Sequence, residues 1–406
     1  MTKSRNWAAA LSLVLGFSAG AAGAARGQAI GPGFELERSG RYADAASVYL
    51  TTVRADPVNI PALLGLERTL FVLNRMSELL PLVQQARARS PESAALRSLE
   101  LRVYAALNQP DSLEAIALRW AATVPESDAP YREWGLAAAD HRMWDEARRA
   151  YLAGRKALGD PGTLAIELAE LEQRVGNWEA SAAEWGRAVT RSPDVGPNAA
   201  SQLADVPPPL RDRVARVLLA PDASARARRV GAEVLLSWGQ PNEAWAALEP
   251  TLGDSDAQAA VRRFADLAGS LTTPEGHRVR GLALNRWADF VPEPMAARAR
   301  AEAVRELLAG GDRVAARRVL EGLATERGAP SDAHAVAQAA LLQVLIADGQ
   351  LDVVEQRLTT HIGITADDRA ALRLALARAR IARGELDHAD AALADDSSVA
   401  AVAQRG

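Results

Sequence analysis

At 406 residues, 49% hydrophobic but only 5% aromatic, the chain can bury a large core, which must be built mainly from Ala, Leu and Val, and that composition suits helices. No cysteine is present, which excludes disulfides, thiolate metal sites, cysteine nucleophiles and a lipid anchor on an N-terminal cysteine. A formal charge of -4 argues against a nucleic-acid partner, since a general binder would carry a basic domain or stripe.

Residues 1–29 read as a secretory signal peptide. Lys3 and Arg5 precede an apolar run from Trp7 to Ala19, and Ala22-Gly23-Ala24 or Gly27-Gln28-Ala29 offers the small residues of a cleavage site. An uncleaved membrane anchor would want about 20 apolar residues, and this run is shorter and rich in Ala and Gly. The expected location is therefore periplasmic or secreted, with no integral membrane segment once the leader is removed.

Residues 30–193 repeat. The spacing Gly40, Tyr42, Ala45, Tyr49, Pro57 returns at identical offsets as Gly176, Trp178, Ser181, Trp185, Pro193. Between these copies, prolines recur at 57, 91 and 125, each 34 residues after the last, and then at 161. Gly40 and Gly176 suit the left-handed residue that ends a first helix. Ala45 and Ala147 fall where two helices cross at close range, and Tyr49, Tyr151 and Trp185 are placed to fill the groove between hairpins. Proline then closes the unit, because it lacks an amide hydrogen and clashes with the preceding turn. The second and third hairpins lack the aromatics and read Asn74, Met76, Leu79, Val83 and Asn108, Pro110, Leu113, Ala117. The fourth has Gly135, Trp144, Ala147 and Tyr151, with a longer turn expected before Pro161. Trp144, Trp178 and Trp185 lie on packing offsets, so the tryptophans are expected in the core rather than on a stacking platform.

Residues 194–210 read as a Pro-rich linker between two arrays, because Pro193, Gly196 and Pro197 are followed by Pro207-Pro208-Pro209. Residues 211–300 are helical but degenerate in motif. In residues 301–395 hairpin offsets resume at Gly311, Gly349 and Gly384, as they do earlier at Gly239, and residues 396–406 form a tail. The clusters Arg226, Arg228, Arg229 and Arg317, Arg318 fit solvated helix faces better than a polymer-binding stripe.

The repeated spacing resembles the tetratricopeptide repeat family, clearly from residue 34 to 193 and more faintly to the C-terminus. The resemblance implies an all-α solenoid of stacked helical hairpins, here in two arrays, whose concave groove binds a protein or peptide partner. The resulting expectation is a non-enzymatic exported scaffold in envelope assembly or trafficking. The alternatives are a cell-wall enzyme related to the superhelical lytic transglycosylases and an accessory scaffold of polysaccharide export. No second domain remains to hold a catalytic carboxylate, which weighs against the enzyme.

Motifs of chemistry are sparse. Gly16-Phe17-Ser18-Ala19-Gly20 matches a nucleophile elbow but lies inside the leader, and Gly253-Asp254-Ser255 has no preceding strand. The histidines show no metal-ligand spacing, and no phosphate-binding glycine loop precedes a lysine, so no cofactor is expected. For the groove, the resemblance implies that first helices line the concave face, where residues 34 apart stack. Arg68 and Arg102 are so spaced, and Arg132, Arg38 and Arg174 lie within a turn of equivalent positions. Arg132, Arg38 and Arg174 have Asp128, Glu35 and Glu170 as partners within their own helices; Arg68 and Arg102 have none there. Arg68 and Arg102, with Phe71 as an apolar neighbour, are therefore expected to be free for an acidic peptide or chain terminus, as in the family's carboxylate clamps. The lysine and asparagine of such clamps are absent.

Overall fold

A computed structural model describes residues 31–293, 295–325, 331–359 and 364–393, and among them the regular secondary structure is entirely helical. The expected leader and C-terminal tail lie outside the described residues. Two compact units divide between Asn177 and Trp178.

The first unit holds α1 (residues 31–38), α2 (Tyr42–Ala55), α3 (Ile60–Val72), a 3-10 turn (Met76–Glu78) running into α4 (Leu79–Arg89), α5 (Ala94–Ala106), α6 (Pro110–Thr123), α7 (Ala129–Asp140), α8 (Trp144–Leu158) and α9 (Ala165–Arg174). Each hairpin turns through one left-handed residue: Gly40, Asn74, Asn108, Arg142 and Gly176, every one 34 residues after the last. At each, the amide of the next residue reaches back to close the preceding helix. The bonds are Arg41 to Leu36 at 2.8 Å, Arg75 to Leu70 at 2.8 Å, Gln109 to Tyr104 at 3.0 Å, Met143 to Ala138 at 2.9 Å and Asn177 to Glu172 at 2.8 Å. Asparagine tolerates this conformation and arginine does not, so Arg142 carries strain that Gly40 and Gly176 avoid.

The positions nine residues after each turn are Tyr49, Val83, Ala117 and Tyr151, and all are buried in this unit. Tyr49 occupies a slot between two glycines: a Cβ at Gly33 would lie 2.5 Å from its ring and one at Gly65 would lie 2.6 Å away. Tyr151 sits on Gly135 in the same way, at 2.1 Å. Gly135 is thus a seat inside α7, and the turn of that hairpin belongs to Arg142. Trp134, fully buried beneath α8, donates its indole N–H to Glu146 at 2.8 Å. The turn after α8 is lengthened as expected, with left-handed Gly159 ending the helix and α9 starting at Ala165.

The second unit holds α10 (Trp178–Arg191), α11 (Gly196–Ala204), α12 (Arg211–Leu218), α13 (Ala225–Ser237), α14 (Pro241–Leu248), α15 (Ala257–Ala268), α16 (Pro274–Ala288), α17 (Met295–Ala309), α18 (Arg313–Thr325), α19 (Ser331–Ala347), α20 (Leu351–Thr359), α21 (Ala366–Ala382) and α22 (Leu386–Leu393). Gly239, Gly311, Gly349 and Gly384 are all left-handed, and the same reach-back bonds close their helices. Trp185 is fully buried in α10, while Trp178 and Trp144 are half-buried.

The Pro-rich linker expected at 194–210 is absent. Those residues form a 3-10 turn (Pro193–Val195), the helix α11 and a second 3-10 turn (Pro208–Leu210), with Ala199, Ala200 and Leu203 buried. Each proline sits where it does no harm. Pro193 and Pro197 occupy first-turn positions, whose amides have no partner in the helix anyway, and Pro207 is extended with ψ 137. Trp238, which caps the C-terminus of α13, also clasps this segment, donating to the Ala204 carbonyl at 3.1 Å.

Candidate partner groove of the N-terminal unit

The first helices α3, α5 and α7 surround a cavity of about 260 Å³, lined by Glu67, Arg68 and Phe71 of α3, Met76 of the 3-10 turn, Arg102 and Ala106 of α5, and Ala137, Asp140 and His141 at the end of α7. The periodicity that stacks helices 34 residues apart assembles this cavity, since each helix contributes the residues near its C-terminal end. Phe71 is 59% exposed, and its ring meets the His141 ring edge-on, with centroids 6.0 Å apart and planes at 63°. The structure thus brings Arg68, Phe71 and Arg102 together as expected. Arg132 stands elsewhere on α7 and lines no part of the cavity.

Neither Arg68 nor Arg102 is free. Arg68 donates from Nε and Nη2 to the Glu37 carboxylate at 2.9 and 2.8 Å, and Arg102 donates likewise to Glu67 at 2.5 and 2.9 Å. Both pairs are the bidentate fork that suits guanidinium to carboxylate. Arg132 reaches Glu167 at 2.6 Å and Asp128 at 2.6 and 3.0 Å, while Arg38 keeps an exposed contact with Glu35 at 3.6 Å. The expectation of free arginines fails because it weighed only partners one turn away in the same helix. Stacking supplies others, 31 to 35 residues distant, from the neighbouring repeat.

The electrostatics follow. The Arg68 hydrogen bond holds the Glu37 carboxyl below its ordinary value against the opposing effect of burial, with the Tyr49 hydroxyl assisting. Burial, then the Glu37 contact, pushes Tyr49 up to about 12. Arg68 and Arg102 are raised, first by their bonded glutamates, and the Arg102 charge also feels Glu133 and Asp140. Burial works against the charge of Arg132, but Glu167 and Asp128 outweigh it. Glu170 on α9 is the exception, with burial raising its carboxyl.

Elsewhere the arginine clusters are likewise engaged: Arg226 with Asp256 at 2.8 Å, Arg229 with Asp254 at 2.6 Å and with Thr251, and Arg317 with Glu321 at 2.8 Å. Asp254 of the Gly253-Asp254-Ser255 sequence is an acceptor for Arg229 and for the Asp256 amide, a turn-fixing role. Among the described residues no group of His, Cys, Asp or Glu has the arrangement of a metal site, and no helix is long and apolar enough to cross a membrane.

No protein-family model matches the chain, and no curated protein does. Among solved structures it aligns with the tetratricopeptide domain of P58(IPK) at 13% identity and a TM-score of 0.23, covering 94% of this chain and 96% of that one. It aligns with the Naa15/Naa10 complex bound to HypK-THB at 12% and 0.26, covering 93% and 70%, and with the APC/C assembly Cut9-Hcn1 at 12% and 0.26, covering 92% and 94%. At that similarity the fold rests on the helices themselves. Their paired arrangement, repeated left-handed turns and 34-residue period are those of a tetratricopeptide-like α-solenoid.

Proposed function

We propose that this protein is an exported, non-enzymatic scaffold that binds a segment of a protein or peptide along the first-helix face of its N-terminal unit, in the service of envelope assembly or trafficking. The observation that carries this reading is the Phe71 cavity. An aromatic ring 59% exposed, braced edge-on by His141 and set in a cavity walled by successive first helices, offers an apolar contact with polar groups around it. Three neighbouring helices contribute to it, so it is a property of the stack rather than of one hairpin. The leader-like residues 1–29 support export.

A photo-crosslinking amino acid placed at Phe71, and separately at the exposed Leu118 on α6, tests the location of binding. Adducts are expected from position 71 and not from 118. Equal labelling at both positions would refute a first-helix groove. Intact-mass analysis of the fractionated protein tests export, with a mature N-terminus after Ala24 or Ala29 expected and a retained Met1 counting against it.

A further inference from the structure

Resting on the groove reading above, we infer that the Phe71 cavity takes a cationic side chain, arginine or lysine, of a basic peptide segment. The charges decide the sign. Arg68 and Arg102 stand near the cavity against Glu37, Glu67, Glu133 and Asp140, so carboxylates outnumber guanidiniums. The charge of each guanidinium is already balanced by a two-bond fork to a carboxylate of the neighbouring repeat. The carboxylates of Glu133 and Asp140 make no hydrogen bond or salt bridge among the described residues, although their field reaches Arg102. The uncompensated charge at this face is therefore negative. An acidic segment would meet guanidiniums whose charge a glutamate already balances, whereas a basic one meets carboxylates that no guanidinium bonds.

Aromatic geometry points the same way. The chain stacks its own guanidiniums over Phe34, Trp120, Trp238, Trp287 and Phe290, with centroid distances from 4.7 to 5.9 Å. Phe71 is as exposed as Phe34, yet among the described residues its ring meets the edge of His141 and no guanidinium covers it. A ring face beside the unpaired Asp140 is a site for a cation with an apolar stem, held by the ring quadrupole and closed by the carboxylate.

The test uses the full mature chain and labelled Gly/Ser peptides of equal length carrying arginines, glutamates or neither, with binding read by fluorescence anisotropy at low and high salt. The arginine peptide is expected to bind most tightly. Asp140→Asn and Phe71→Ala are each expected to weaken it about tenfold, while Glu275→Gln, an exposed acid in α16, leaves it unchanged. That control separates the site from general attraction to an acidic protein. An arginine-peptide affinity indifferent to Asp140→Asn overturns the inference. Tight binding of the glutamate peptide, lost in Phe71→Ala, overturns the charge assignment and leaves the groove standing. If no peptide responds to Phe71→Ala, the groove reading falls too.

Discussion

The two units reach one fold by different packing. In the first, large aromatic rings are pressed into glycine slots: Tyr49 between Gly33 and Gly65, and Tyr151 on Gly135. In the second, backbones come close at small residues. A Cβ at Gly281 of α16 would lie 2.7 Å from Leu307 and 2.9 Å from the Ala303 carbonyl of α17, and one at Gly310 would lie 2.6 Å from the Arg278 amide nitrogen. Leu341, Leu342, Leu345, Val354 and Leu376 supply the core further along. The aromatic signature is thus one solution to filling the space between hairpins. The left-handed turn and its reach-back bond recur in both units, at Gly239, Gly311, Gly349 and Gly384 in the second, where α15 nevertheless packs on α16 across a turn with no left-handed residue. Fading of the aromatic motif toward the C-terminus is a change of filler and not a loss of architecture.

The contrast breaks most readily at the aromatics. Tyr49→Ala and Tyr151→Ala are each expected to cost about 3–5 kcal/mol, as truncations of fully buried rings. Denaturant titration measures this, and a cost below about 0.5 kcal/mol would mean that the slots are not what holds the hairpins. Next in size, Gly281→Val should cost about 1–3 kcal/mol, since part of what it meets is backbone that cannot rotate away. A neutral result there would erase the distinction between the units.

The turns offer a smaller test with opposite signs. Arg142→Gly should stabilise by about 1 kcal/mol by removing left-handed strain, and Gly239→Ala should destabilise by a similar amount. If both changes destabilise, the Arg142 side chain contributes something that outweighs its backbone.

Acidity gives the smallest effect and acts on the inter-repeat pairs. The Arg68 bond depresses the Glu37 carboxyl. Burial raises the Glu172 carboxyl, but the bonds from Arg148 and Asn177 prevail and depress it overall. A carboxylate with a depressed folded value contributes stability that is present above its unfolded value near 4.5 and is lost as pH falls through the folded value. Glu170, raised by burial, runs the other way and offsets part of that loss. Denaturation midpoints are therefore expected to fall in acid, and the decline should be shallower in Glu37→Gln. An identical pH profile in that variant would show that the Glu37–Arg68 pair adds nothing to stability.

Much of this fold is legible in the sequence because its determinants are local. A left-handed turn needs Gly40 or Gly176, a close crossing needs Ala45 or Ala147, and each is decided within one hairpin. Asn74, Asn108 and Arg142 hold the same position less visibly, since only the 34-residue count marks them. Residues 194–210 mislead because a proline reads as a helix breaker unless its place in the first turn is known, and Pro197 has that place. The cavity was half legible. Arg68, Phe71 and Arg102 follow from register, but Glu37, Asp140 and His141 come from hairpins other than that of Arg68 and Phe71, and Glu67 of α3 turns to Arg102 of the next hairpin. Only three-dimensional stacking tells that the arginines are spent on Glu37 and Glu67 while Asp140 is not paired among the described residues. A search for opposite charges 31 to 35 residues apart would have found the partners.

The even count between Gly40 and Gly176 has a consequence for how such a chain changes over time. Every turn there is separated by the same number of residues, so copying or losing one 34-residue block leaves each remaining turn in phase with its neighbours. The surface chemistry does not survive so neutrally. Loss of residues 75–108 would set Leu136, in place of Arg102, opposite Glu67, orphaning that acid and discarding one wall of the Phe71 cavity. Array length and recognition are thereby separable traits: the first drifts by whole blocks, and the second is revised one side chain at a time.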